Sequence, residues 1–224
     1  PRAVITIGSS AFEDCYNLTS VDIPKSVISI GDSAFRGCQS LTNFVIPKGI
    51  IRISNYSFNN CISLKTVVIP PSVIIIGFYA FSECWALKSI VIPKSVNSIE
   101  GAAFFGCNSL TSIVIPNGVT SIEEGSFFGC KSLTSVFIPK SVTIIGLFSF
   151  LSCLSLTSIV IPESVTHIGE KAFLQCRSLK SVSIPNSVTI IGNKAFSDCS
   201  KLKRVIMFPN LKHLITKNNI NLGI

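Results

Sequence analysis

The sequence predicts a solenoid built from nine copies of a 23-residue unit. Three rows of identical residues support this prediction, because each recurs every 23 residues without insertion or deletion. The rows are nine cysteines from Cys15 to Cys199, nine phenylalanines from Phe12 to Phe196, and nine leucines from Leu18 to Leu202. A single unit is too short to bury its own apolar face, so successive units must stack on one another.

The composition also indicates a large continuous core. Of the 224 residues, 47% are hydrophobic and 13% are charged, and the mean hydropathy is +0.58. Soluble domains usually contain about 25% charged residues. Abundant apolar residues exclude an intrinsically disordered chain. The uncharged segment 141–162 is long enough to cross a bilayer, but it repeats the pattern of every other unit. We therefore expect no membrane span.

Each unit is expected to contain two extended segments and one turn. Residues 18–23, with the sequence L-T-S-V-D-I, predict a strand whose valine and isoleucine face inward. The proline that follows ends the strand, because it cannot donate to a ladder. Residues 165–168 predict a shorter second strand, and equivalent strands should pair in parallel about 4.8 Å apart. The spacing of phenylalanine and cysteine places them on one face of a short helical turn.

The strand motif L-x-x-[VI]-x-I-P and the turn motif I-G-x-x-A-F-x-x-C resemble leucine-rich repeats of the BspA-like (Treponema-type) class. The resemblance covers residues 1–210. It implies an α/β fold, namely a right-handed β/α superhelix, so we expect a leucine-rich-repeat solenoid of nine 23-residue repeats. Small departures occur where Ser54, Glu100 and Glu123 replace the expected glycine, and where Phe208 replaces the last proline.

The predicted domain organisation is one solenoid over residues 1–210, followed by a partial tenth repeat or C-terminal cap or tail over residues 211–224. Residues 1–4 align with residues 24–27, so the chain begins in the middle of a repeat. Terminal repeats normally carry a polar cap. We therefore expect a piece of a longer array, with possible edge-to-edge self-association at the uncapped N-terminal repeat.

The nine cysteines are expected to be buried free thiols. Their number is odd, no C-x-x-C motif occurs, and an unpaired cysteine packs as a small apolar side chain. Disulfides between neighbouring repeats would require parallel Cβ vectors to converge, which is poor geometry. We expect all nine thiols to react only after unfolding.

Catalytic chemistry is not expected. The two histidines, His167 and His213, have no nucleophile in a distinctive context beside them. Cys176 occupies a position that also holds cysteine in eight repeats without a histidine. No phosphate-binding, dinucleotide-binding, hydrolase or metalloprotease motif occurs. The predicted protein is not an enzyme and has no cofactor and no metal site.

The formal net charge of +8 is concentrated toward the C-terminus. Residues 199–224 contain five basic residues and no acidic residue, and Lys25, Lys48, Lys94 and Lys140 follow the strand proline. A basic tail can bind anionic partners. However, the interleaved aromatic residues of single-strand binders are absent, so we expect no nucleic-acid partner and interpret these lysines as a solubilising edge.

The best functional signal lies on the solvent-facing side of the first strand row. One apolar residue per repeat lines up in a stripe through six successive repeats: Val45, Val68, Val91, Val114, Phe137 and Val160. A row of small hydroxyl side chains flanks it, including Ser89, Ser112, Ser135 and Ser158. A long exposed apolar stripe often marks an interaction site, although valine also suits an exposed strand.

A candidate second patch follows the repeat phenylalanine in repeats five to eight and consists of Phe105, Phe128, Leu151 and Leu174. It is a lateral contact surface or local packing between adjacent turns. The sequons at Asn17 and Asn55 permit glycosylation if a eukaryote secretes the chain.

The predicted function is a non-enzymatic scaffold that binds proteins. The resemblance implies cell-surface adhesion or host-protein binding, with a host surface or matrix protein as the ligand and a cell-surface or secreted location. Two alternatives stay open: a purely structural spacer array in a longer protein, and an intracellular protein-interaction module.

Overall fold

The computed structural model describes residues 4–207, and over that range the chain forms sixteen short strands and no helix. Each repeat contributes up to two strands, and these build two rows along the array. The first row comprises β3 (Asn43–Val45), β5 (Thr66–Val68), β8 (Ser112–Val114), β10 (Ser135–Phe137), β12 (Ser158–Val160), β14 (Ser181–Ile184) and β16 (Arg204–Met207). The second comprises β1 (Thr6–Ile7), β2 (Ser29–Ile30), β4 (Arg52–Ile53), β6 (Ile75–Ile76), β7 (Ser98–Ile99), β9 (Ser121–Ile122), β11 (Ile144–Ile145), β13 (His167–Ile168) and β15 (Ile190–Ile191).

All strand pairs are parallel and join residues one repeat apart. Ser112 pairs with Ser135 in the first row, and Ile144 pairs with His167 in the second. The register is therefore set by the 23-residue period, and the predicted solenoid of about nine turns is confirmed.

The first row lacks a strand in repeats one and four, although the sequence predicts one in every repeat. Residues 18–23 and 87–92 form no ladder. In both places a hollow lies between the segment and the next repeat, one lined by Asp22 and Val45 and the other by Val91 and Val114. A backbone hydrogen bond still joins each segment to the next repeat, from the Thr42 amide to the Thr19 carbonyl at 3.3 Å and from the Thr111 amide to the Lys88 carbonyl at 3.1 Å, but no ladder follows, so the row is divided into shorter sheets.

The predicted helical turn is replaced by consecutive tight turns. Two residues in every repeat have positive φ, and they flank the repeat phenylalanine, as Lys171 (φ 53°) and Gln175 (φ 62°) flank Phe173. A left-handed residue interrupts a right-handed helix, so the turn cannot extend. The amide of the repeat cysteine still donates to the phenylalanine carbonyl three residues earlier, at 3.2 Å in Cys176.

The core consists of ladders of identical side chains. The phenylalanine rings from Phe12 to Phe196 stack in one column, with centroids 5.1–5.7 Å apart. Phe44, from β3, packs edge-on against Phe35 and Phe58 at 4.9 and 4.6 Å. The turn segments that carry the phenylalanine column therefore lie across the core from the first strand row.

The cysteine ladder has a hydrogen-bonding role. The thiol of each cysteine from Cys38 to Cys199 donates to the phenylalanine carbonyl of the preceding repeat, at 3.1–3.3 Å. All nine cysteines are free, and eight are buried. The expectation of nine buried thiols is wrong at Cys15, which is exposed because no repeat among residues 4–207 stacks on its outer side.

One departure from the repeat pattern forms a contact that spans three repeats. Glu100 replaces a glycine, and its carboxylate accepts two hydrogen bonds from the Arg52 guanidinium, at 2.9 and 2.7 Å. It also accepts from the Phe78 amide at 3.2 Å, and Asn55 bonds to both Arg52 and the same amide. We call this group the Arg52 clamp. Ser54, which also replaces glycine, donates to the Ile30 carbonyl at 2.5 Å.

Candidate functional site

The surface formed by residues four to ten positions after each repeat cysteine is called the strand face below. The residue at its central position points to solvent, and the residues on either side of it point into the core, because successive side chains of a strand point to opposite sides. The predicted apolar stripe is exposed as the pattern implies, from 55% at Phe137 to 81% at Val91. Its six members, Val45, Val68, Val91, Val114, Phe137 and Val160, all remain open to solvent.

The hydroxyl row lies beside the stripe. Ser89, Ser112, Ser135 and Ser158 are all exposed. They are the first residues of β8, β10 and β12 and the matching residue of repeat four. The strand face therefore offers apolar and hydrogen-bonding groups side by side in every central repeat.

The stripe is not uniformly flat. A hollow of about 690 Å³ opens where repeat four lacks its strand, and its lining includes Val91, Val114, Phe137, Lys94 and Ser112. We call it the central hollow. A smaller one of about 430 Å³ lies between repeats one and two. A surface with depressions gives a partner's side chains somewhere to insert, which a flat ladder does not.

The candidate second patch divides into two parts. Phe105 and Phe128 are half-buried and pack edge to face at 4.8 Å. They line a hollow of about 390 Å³ together with Phe78, Tyr79 and Phe148, on the opposite side of the coil from the strand face. Leu151 and Leu174 are half-buried but are not part of that lining. Adjacent-turn packing thus accounts for the Phe105–Phe128 pair.

The buried thiols are poorly suited to chemistry, because the thiolate is the reactive form. Burial raises the pKa of the Cys38 thiol to about 11, and those of Cys130 and Cys199 to about 12. Burial likewise raises the pKa of the Cys176 thiol well above its usual value, although His167 lies in the same repeat. The His167 ring nitrogen Nδ1 is 2.7 Å from the Thr166 hydroxyl. His213 lies outside the described residues.

Within residues 4–207, no cluster of three or more histidine, cysteine or acidic side chains is arranged to hold a metal ion. The same range contains no helix with the length and apolar character needed to cross a membrane.

Sequence reasoning missed two exposed features. Ile5, Ile28, Ile51 and Ile74 form a second exposed apolar row beside the second strand row. Lys65 and Lys88, which are the first strand-face residues of repeats three and four, were also not recognised. They lie on the edge opposite to Lys48 and Lys94. Both rows recur every 23 residues, so tabulating every repeat position by charge and hydropathy would have found them.

Stacked parallel strands, ladders of buried leucine and cysteine, and a one-sided exposed sheet define the leucine-rich-repeat class of scaffold proteins. The family described as "BspA type leucine rich repeat region (6 copies)" matches residues 5–133 and 102–220. The chain belongs to this BspA-type leucine-rich-repeat family, as the sequence motifs predict.

Solved structures agree with the family assignment. A leucine-rich repeat protein of T. pallidum is 36% identical, with a TM-score of 0.65, over 68% of this chain and 72% of that one. A leucine-rich repeat protein of Bacteroides ovatus is 28% identical, with a TM-score of 0.65, over 92% and 70% of the two chains.

A leucine-rich cell surface protein of Faecalibacterium prausnitzii is 30% identical, with a TM-score of 0.50, over 91% of this chain and 69% of that one. No curated protein matches the chain by sequence.

Proposed function

We propose that this protein is a non-enzymatic binding scaffold that works at a cell surface, in adhesion or in binding a host surface or matrix protein. Membership of the leucine-rich-repeat family supports a protein-binding scaffold in general. The surface role is suggested by the similar protein of F. prausnitzii, which is described as a cell surface protein.

The strand face is the proposed binding surface. The observation that carries this proposal is the exposure of six successive apolar side chains in one line, where an isolated solenoid gains nothing by exposing them. Val91 and Val114 lie at the centre of this line and line the central hollow, so they are the proposed anchors of the contact.

The chain offers a matched control for testing this surface. Val91→Lys with Val114→Lys places two charges in the proposed interface. Ile28→Lys with Ile51→Lys places the same charges on exposed aliphatic positions of the second strand row, where Ile28 and Ile51 are both 60% exposed. Circular dichroism and the thermal midpoint establish that both variants fold as the unaltered chain does.

Immobilised protein is then incubated with extracts of host surface and matrix proteins, and the retained bands are compared. We expect bands that the unaltered chain and the Ile28/Ile51 variant both retain and that the Val91/Val114 variant loses. Equal retention by all three proteins would show that the strand face is not the binding surface. Retention of nothing would favour a structural spacer.

A further inference from the structure

Charged side chains are sorted between the two sides of the coil. The strand face carries nine exposed basic residues and only two acidic residues, Asp22 and Glu163. The basic residues are Lys25, Lys48, Lys65, Lys88, Lys94, Lys140, Lys180, Lys203 and Arg204.

The turn face, defined as the seven residues that precede each repeat cysteine, has the opposite charge. It contains the other nine of the eleven acidic residues and only three basic residues, Arg36, Lys171 and Lys194. Because Phe44 of the strand row packs between Phe35 and Phe58 of the turn segments, the two faces lie on opposite sides of the core. One side of the solenoid is therefore basic and the other acidic.

The positive charges of the strand face are not neutralised within the described part of the chain. The ion pairs among residues 4–207 are Arg36–Glu13, Arg52–Glu100 and Lys171–Glu170, and none includes a strand-face residue. Repeats two to six carry five strand-face lysines and no strand-face acid. Lys88 and Lys94 flank the apolar residues of repeat four, and Lys94 lines the central hollow.

We propose that the occupant of the strand face is an acidic protein segment that also carries large apolar side chains, centred on the central hollow. This inference rests on the proposed function and specifies the partner's chemistry. The partner's carboxylates would meet the lysines on both edges, while its apolar side chains cover Val91, Val114 and Phe137. A nucleic acid would engage the lysines but would leave the aliphatic stripe without an apolar partner, since that stripe offers a single aromatic ring for base stacking.

The probe for this proposal is a labelled random copolymer of glutamate and tyrosine, compared with polyglutamate, a lysine–tyrosine copolymer, duplex DNA and phosphatidylserine vesicles. Lys88→Glu with Lys94→Glu alters the strand face and preserves the stripe. Lys131→Glu with Lys194→Glu makes the same change in net charge at exposed positions away from the strand face. Binding is measured by fluorescence anisotropy (or vesicle sedimentation) at low and at physiological salt.

We expect the glutamate–tyrosine copolymer to bind more tightly than polyglutamate and the lysine–tyrosine copolymer. Binding should weaken roughly tenfold in the Lys88/Lys94 variant and with added salt, because like charges then oppose encounter and screening shortens the attraction. The Lys131/Lys194 variant should bind as the unaltered chain does.

Equal losses in both lysine variants, or no loss in either, would overturn the proposal. Tighter binding of DNA or vesicles through Lys88 and Lys94 would also overturn it, in favour of another polyanion. If host proteins are retained through Val91 and Val114 but the Lys88/Lys94 variant retains them equally, the binding function stands and the acidic partner does not.

Discussion

At the scale of single residues, the repeat cysteine is fixed by two requirements at once. The position is fully enclosed, so it accepts only a small side chain, and it faces the phenylalanine carbonyl of the preceding repeat. Alanine would leave that carbonyl with only the backbone amide as donor, whereas a thiol fills the space and donates weakly. The 23-residue recurrence predicts burial of the row, but the bond to the preceding repeat appears only in the folded coil.

Reaction with a water-soluble thiol reagent at mildly alkaline pH tests the ladder. One thiol of the native chain should react, and the other eight should react only after unfolding in urea, because burial raises their pKa and blocks access. Cys15→Ser should leave the native chain without a reactive thiol. Rapid reaction of two or more native thiols would contradict the buried ladder.

At the scale of elements, the Arg52 clamp shows how the array accommodates a residue that departs from the repeat pattern. Glycine occupies the position of Glu100 in most repeats, and the sequence marks repeats three and five only as irregular. The structure shows that the irregularity of repeat five is accommodated, because the Glu100 carboxylate accepts hydrogen bonds from Arg52 of repeat three and from the Phe78 amide of repeat four.

Glu100→Ala tests the clamp by removing the acceptor of Arg52 and of the Phe78 amide. The free energy of unfolding should fall by about 1.5–3 kcal/mol, the range for hydrogen bonds to charged groups. Glu13→Ala is the matched control, since it breaks the more exposed Arg36–Glu13 pair and should cost less than about 1 kcal/mol. Urea denaturation of both variants gives the comparison, and equal losses would show that the clamp is an ordinary surface pair.

The strands and the stripe could be predicted from the sequence, since period-2 alternation sets which residues face solvent. Exposure of Val45 to Val160 is confirmed on that basis. The absence of a helix from residues 4–207 could not be predicted, because lysine and phenylalanine are not residue types that signal positive φ, yet Lys171 and Phe148 adopt it. Nor could the central hollow, since residues 87–92 fit the strand pattern as well as their paired neighbours do.

At the scale of the whole molecule, each repeat contacts its neighbours through the same set of interfaces. Stability is then approximately a sum of repeat and interface terms. The length of the array should therefore matter less than its register. A deletion of a whole number of periods joins two equivalent positions, whereas a deletion of any other length shifts every ladder on one side of the junction.

Deletion of residues 117–139, which is one period, should give a chain that folds cooperatively, with a urea m value lower by about a tenth, in proportion to the surface exposed on unfolding. Deletion of residues 117–138 should abolish cooperative unfolding, because a slip of one residue turns inward-facing strand residues outward. Indistinguishable unfolding curves for the two deletions would contradict a register-locked coil.

Because its thiols are buried and unpaired, the cysteine ladder gives no indication of the cellular compartment. Cysteine-rich chains are usually assigned to a reducing interior or to an oxidising exterior by asking whether their cysteines pair. Here eight sulfur atoms are enclosed, directed at carbonyls and held in the protonated form, so an oxidant meets neither an accessible nor an ionised thiol. The eight buried thiols should therefore be insensitive to redox conditions, and the stability that they give the core should be the same in the two environments.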